Sequence, residues 1–180
     1  MINKILFCDN SLRELLNFRG DVIDDYSAKG NEIVLLAPKN RDYPPDNDRI
    51  KYIPIEVGRS SMNPFSDFKY FFELIRIYRK EKPDYIFHYT IKPNIYGSFA
   101  AKLLGIPSTA MIAGLGYVFT NKGLGCWIAR MLYRISMLCP EKVLVLNEYN
   151  QELLIKKKIV KREKIILLKG GEGVNLSKFS

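Results

Sequence analysis

Six side chains and two glycines have the chemistry to hold a phosphate or a sugar hydroxyl. Asn10, Asn17, Arg19, Thr90, Lys92 and Asn94 supply amides, a hydroxyl and two cations, and Gly114 and Gly116 let backbone approach a ligand closely or make a tight turn. Arg19 is expected at the start of a helix, where free N–H groups add to its attraction for an anion. His88 is the single histidine. It reads either as a satisfied structural residue or as a weak catalytic or ligand-contact candidate, since no Ser or Asp partner is evident. Gly114-Leu115-Gly116-Tyr117-Val118-Phe119 begins like a dinucleotide fingerprint, but Phe119 stands at the third glycine and no acidic residue follows about 20 positions on. The sequence has no GxSxG and no phosphate-loop lysine, which argues against serine hydrolases and nucleotide triphosphatases. Asp46-Asn47-Asp48 has metal-binding spacing, yet His88 gives it no cluster to join. It reads as a turn, so no metal is assigned.

Charge points to an anionic partner. Lys/Arg and Asp/Glu balance over residues 1–90, so the whole formal excess of +9 lies in residues 91–180. Its densest block runs from Lys156, Lys157 and Lys158 through Lys161, Arg162 and Lys164, with Glu163 the one anion. Such a run is either a solvated helix end or a contact for an anionic surface. Leu124, Trp127, Ile128, Met131, Leu132, Ile135 and Leu138 share helical spacing, with Arg130 and Arg134 beside them. That stripe either packs on a sheet or forms a shallow membrane-contacting face whose arginines reach lipid phosphates. No zinc-finger, RRM or helix-turn-helix pattern supports nucleic-acid binding. Cys8, Cys126 and Cys139 lack metal or CxxC spacing and read as buried thiols in a reducing cytoplasm. No segment has the length to span a bilayer.

The elements that must position these residues alternate. Short apolar runs at Lys4–Cys8, Glu32–Leu36, Lys51–Ile55, Asp84–Tyr89, Thr109–Ile112, Lys142–Leu146 and Ile165–Leu168 predict strands buried on both faces of a parallel sheet. Between them, helical spacing predicts helices over Phe18–Lys29, from Pro64 (capped by Asn63) to before Pro83, from Pro93 to before Gly105, over Leu124–Leu138 and over Glu148–Lys157. In the second, Phe68, Phe71, Phe72, Ile75 and Tyr78 are expected along one face. The chain of 180 residues is about one domain. Its fold class is α/β: a doubly wound, mostly parallel, Rossmann-like sheet of about seven strands with helices on both faces. The expected strand order is 3-2-1-4-5-6 with the seventh at the far edge. In such a sheet ligands bind beyond the carboxyl ends of strands 1 and 4. That rule selects Asp9–Arg19, Thr90–Tyr96 and Ala113–Asn121.

Three segments carry a family resemblance: Asn17-Phe18-Arg19, the run from Asp84 through Thr90-Ile91-Lys92-Pro93-Asn94-Ile95-Tyr96-Gly97, and Gly114–Phe119. With the closing Gly171-Glu172-Gly173-Val174-Asn175, the chain resembles the first half of a bacterial family-4 glycosyltransferase of the capsule, O-antigen or lipid-linked glycan type. The resemblance implies a GT-B fold, two Rossmann-like domains across a cleft. Residues 1–170 would be the N-terminal, acceptor-binding domain and 171–180 the start of the crossover to a C-terminal nucleotide-sugar domain. It implies retaining transfer without a dedicated protein base, no cofactor, and a UDP-linked donor held mainly by that second domain. The implied partners are a polyprenyl-diphosphate-linked saccharide and an anionic membrane surface, with the enzyme peripheral on the inner face of the cytoplasmic membrane. Asn10, Asn17, Arg19, Thr90, Lys92, Asn94, Gly114 and Gly116 would serve acceptor or phosphate. Trp127, Arg130, Arg134, Lys156, Lys157 and Lys158 would serve the membrane. Two alternatives are a non-catalytic, membrane-anchoring or acceptor-presenting subunit of a split transferase and a GT-B sugar-nucleotide epimerase, for which Asp9 and Glu172 are the well-placed acids.

Overall fold

Runs of Ile, Val, Leu and Phe without polar alternation form a sheet that is buried on both sides. The computed structural model describes residues 2–40, 49–57, 64–115, 119 and 121–169. The seven strands are β1 (Lys4–Cys8), β2 (Glu32–Ala37), β3 (Ile50–Pro54), β4 (Tyr85–Tyr89), β5 (Ser108–Ile112), β6 (Lys142–Val145) and β7 (Ile165–Leu167). They lie in the order β3-β2-β1-β4-β5-β6-β7, and every neighbouring pair is parallel. The order is the expected one, and each strand falls within a residue of its predicted bounds.

The helices are α1 (Leu12–Ala28), α2 (Pro64–Glu81), α3 (Ser98–Leu103), α4 (Leu124–Ser136) and α5 (Glu148–Lys156). A π-helical turn at Pro93–Gly97 leads into α3, and a 3-10 turn at Arg162–Lys164 leads into β7. Ile5, Phe7, Ile33 and Leu35 pack under α1 through Leu12, Leu15 and Ile23. On the opposite face, Leu6, Cys8, Val34, Leu36 and Ile86 meet Tyr70, Leu74, Ile77 and Tyr78 of α2 and the alanines of α3. Further along that face, Ala110, Ile112, Val143 and Val145 meet Tyr133 of α4 and Leu154 of α5. Among the described residues, therefore, α1 has one side of the sheet to itself.

Three expectations are corrected. The first helix begins at Leu12, six residues before the expected Phe18. Ser11 caps it by accepting from the Glu14 N–H at 3.3 Å, a Ser-x-x-Glu capping pattern. Asn17 and Arg19 therefore lie in its second turn, away from the free N–H groups of the first. On α2 the expected apolar face is split. Leu74, Ile75 and Tyr78 are buried, while Phe65, Phe68 and Phe72 point outward, Phe65 at 87% exposure. Finally, α4 ends at Ser136, leaving Leu138 beyond it. Asn63, the Tyr43–Asp48 loop and Gly171–Asn175 lie outside the described residues.

Candidate functional site at the carboxyl edge of the sheet

The order β1-β4-β5 brings three loops that are distant in sequence to adjacent places at one edge. Asp9 follows β1 directly and is 1% exposed. Its Oδ1 accepts the N–H groups of Asn10 (2.6 Å) and Ser11 (3.3 Å). Burial pushes the Asp9 carboxyl up from 3.8 to about 7, against the opposing charge of Arg19 and those two N–H donors. Arg19 reaches in from α1. Its guanidinium lies 4.6 Å from the centroid of the Tyr89 ring, and Nη2 lies 3.7 Å from Met111 Sδ. Phe7 stacks on Phe87 at 5.2 Å and on Tyr89 at 6.4 Å, so the cation caps an aromatic stack on the α1 face of the sheet. Arg19 thus stands where three strands meet, 8% exposed.

The turn after β4 is built around Thr90, whose φ of +66 is an uncommon backbone for a β-branched residue. Its hydroxyl bonds the Tyr89 carbonyl, and its own carbonyl accepts the Asn94 N–H at 3.0 Å. Asn94 is 1% exposed. Its Nδ2 donates to the Met111 carbonyl at 2.8 Å and to the Tyr133 hydroxyl at 3.1 Å, joining β4, β5 and α4. Its buried Oδ1 has no hydrogen-bond partner among the described residues. Gly114, past β5, is exposed, and a Cβ placed on it would meet nothing within 4 Å.

Asp9, Asn10, Arg19, Thr90, Asn94 and Gly114 are therefore brought to one edge. Asn17 is half-buried on α1, and Gly116 lies outside the described residues. Lys92 differs from the expected open cation. Its Nζ is 2.6 Å from Asp67 Oδ1, and the Tyr96 hydroxyl donates to Asp67 Oδ2 at 2.8 Å. This pair ties the first turn of α2 to the π turn. His88 differs too. Its side chain is 0% exposed, its Nε2 lies 3.0 Å from the Tyr78 hydroxyl, and burial pushes its pKa from 6.5 down to about 3. A ring so enclosed exchanges no proton with a bound ligand. Gly97 explains the enclosure: a Cβ there would fall 2.6 Å from His88 Nε2. The sequence marks Asp9 only as a well-placed acid of the epimerase alternative, and it gives no sign that Tyr133 turns inward to join Asn94. The signal for Asp9 was an acid directly after an apolar strand at the winding reversal.

On α4 the stripe faces outward. Trp127 is 56% exposed, and Leu124, Ile128, Met131, Ile135 and Leu138 are also exposed. The sheet side is taken by Cys126, Tyr133 and Ser136. Arg130 is half-buried, and Arg134, Lys156, Lys157 and Lys158 are exposed. Among the described residues no helix is long and apolar enough to cross a membrane.

The profile of the glycosyl transferase 4-like family matches residues 4–144, from β1 to within β6. The chain belongs to the glycosyl transferase 4-like family. It is 29% identical over 182 residues to the Campylobacter jejuni N,N'-diacetylbacillosaminyl-diphospho-undecaprenol alpha-1,3-N-acetylgalactosaminyltransferase, covering 98% of this chain and 48% of that relative. To the Escherichia coli UDP-Gal:alpha-D-GlcNAc-diphosphoundecaprenol alpha-1,3-galactosyltransferase it is 26% identical, covering 77% and 35%. The chain thus spans about half the length or less of these glycosyl transferase 4-like relatives. Among solved structures, a glycosyltransferase from Rickettsia africae superposes with TM-score 0.70 at 18% identity, covering 99% of this chain and 45% of that one. A UDP-N-acetylglucosamine 2-epimerase from Rickettsia bellii superposes with TM-score 0.69 at 19% identity, covering 96% and 46%. These likenesses establish the fold that this family member shares with both kinds of enzyme.

Proposed function

We propose that this chain is the acceptor-binding half of a glycosyltransferase that moves a sugar from a nucleotide-sugar donor to a polyprenyl-diphosphate-linked saccharide. The supporting observation is the convergence of Asp9, Arg19, Asn94 and the open Gly114 backbone at the β1-β4-β5 edge of a chain whose curated relatives are transferases named for such acceptors. The work of this half is positioning. Asn10 and the exposed backbone at Gly114 offer polar groups to acceptor hydroxyls, while Asp9 and Asn94, enclosed beneath them, hold the loops in place and Arg19 supplies positive potential. The donor and the transition-state charge belong to the facing half of the cleft.

In the same reading, the chain lies on the inner face of the cytoplasmic membrane. Trp127 and its neighbours on α4 enter the interface, with Arg130, Arg134 and Lys156–Lys158 near lipid phosphates. The test is transfer of labelled sugar from a UDP-sugar to a polyprenyl-diphosphate saccharide, alongside acceptor binding by residues 1–180. The expected result is acceptor binding by residues 1–180 and transfer only by a protein that also contains a donor half. Turnover by residues 1–180 alone, or no acceptor binding, overturns the assignment of roles. Epimerisation of a UDP-sugar in place of transfer would favour the epimerase reading.

A further inference from the structure

At the amino edge of the sheet, the end opposite the crevice, the last turns of α4 and α5 and the 3-10 turn bound an open groove of about 550 Å³. Its floor is apolar, with Ile135 in the last turn of α4, Leu138 two residues past that helix, Ile155 in the last turn of α5 and Ile159 three residues past it. Ile135 and Leu138 are 45% and 59% exposed, an apolar surface left to water. Its rim is cationic: Arg134, Lys158, Lys161 and Arg162 stand against one carboxylate, Glu163, 3.9 Å from Lys161. Helix carboxyl ends repel anions, so the backbone brings none here. Lys164 covers that end of α4, donating to the carbonyls of Leu138 (2.7 Å) and Pro140 (2.8 Å).

We propose that this groove binds one anionic phospholipid, its phosphate among the rim cations and its acyl chain along the apolar floor. Charge complementarity selects an anion, and the floor selects a hydrocarbon attached to it. A nucleic acid or free phosphate would engage the rim and leave the floor wet. The groove is also continuous with the outward stripe of α4. From Leu124 at the crevice edge the stripe runs the length of a 13-residue helix, roughly 20 Å, and its last members form part of the groove floor. The two ends of α4 therefore serve different ligands, acceptor at one and bilayer lipid at the other. This inference rests on the membrane reading above and deepens it.

Two double variants remove equal charge from the same exposed block: Lys158→Ala with Arg162→Ala on the rim, and Lys156→Ala with Lys157→Ala, which do not line the groove. The measurement is co-sedimentation of the protein with phosphatidylcholine vesicles, with and without phosphatidylglycerol. Wild type is expected to bind the phosphatidylglycerol vesicles. The rim pair should lower that affinity about tenfold more than the neighbouring pair, because it loses a contact as well as charge. Losses within about twofold of each other would show a diffuse field and overturn the groove, leaving the membrane reading intact. Displacement by inorganic phosphate, with no displacement by chloride at equal ionic strength, would show a free-anion site and also overturn it. If wild type binds neither vesicle, the membrane reading itself fails.

Discussion

Asp9 and His88 are both shut away from water, and burial drives each toward its neutral form. Asp9 titrates near 7 in the fold against 3.8 in the open chain. The folded state holds its proton longer, so this contribution is present at low pH and is lost as pH rises from about 4 through 7. His88 titrates near 3 against 6.5. There the unfolded chain takes the proton first, so stability is lost as pH falls from about 6.5 toward 3. The two effects oppose each other across an overlapping window. Urea midpoints across pH should show Asp9→Asn gaining on wild type as pH rises from about 5 to 8, by roughly 2 kcal/mol at the upper end. His88→Gln, which keeps an acceptor for Tyr78, should flatten the acid decline below about pH 6.5. An Asp9→Asn difference that is constant with pH would show that the carboxyl titrates normally.

At the level of elements, the Asp67–Lys92 pair determines how α2 meets the turn that presents Asn94. Both side chains are largely enclosed, at 15% and 17% exposure, so removing one leaves the other poorly solvated. Asp67→Asn is expected to cost about 1–2 kcal/mol in a denaturant melt and, in a transfer assay, to raise the acceptor KM more than it lowers kcat. Equal KM with reduced kcat would place the pair elsewhere in the cycle. The pair spans 25 residues, and nothing in the sequence announces it. The strands were legible because a buried parallel strand needs only a short apolar run and a turn on either side. Direction was harder. The period of α4 and α2 marks an apolar stripe but not which way it faces, and each helix has enough apolar residues for two stripes. On α2 the core takes Tyr70, Leu74, Ile77 and Tyr78, leaving Phe65, Phe68 and Phe72 outside. The early start of α1 was written in Ser11 and Glu14, and missing it moved Arg19 from a helix mouth to the middle of a packed interface.

Over the whole molecule, the sheet is covered unevenly, with α1 on one face and four helices on the other. Right-handed crossovers from β3 to β7 place α2, α3, α4 and α5 on one face. Because α4 and α5 both run from the crevice edge toward the amino edge, the cationic run that closes α5 ends up far from Asp9 and Asn94. At the crevice Lys92 is already matched by Asp67, and Arg19 is folded over Tyr89. In the proposed enzyme, capture and reaction therefore answer to different forces. Added salt should loosen the hold on an anionic bilayer while sparing turnover once docked. With acceptor in vesicles, apparent KM should climb with ionic strength at nearly constant kcat, and with a detergent-dispersed acceptor the climb should vanish. Such a protein would behave like a boat moored at the stern, free to swing its bow along the lipid headgroups from one acceptor to the next without casting off.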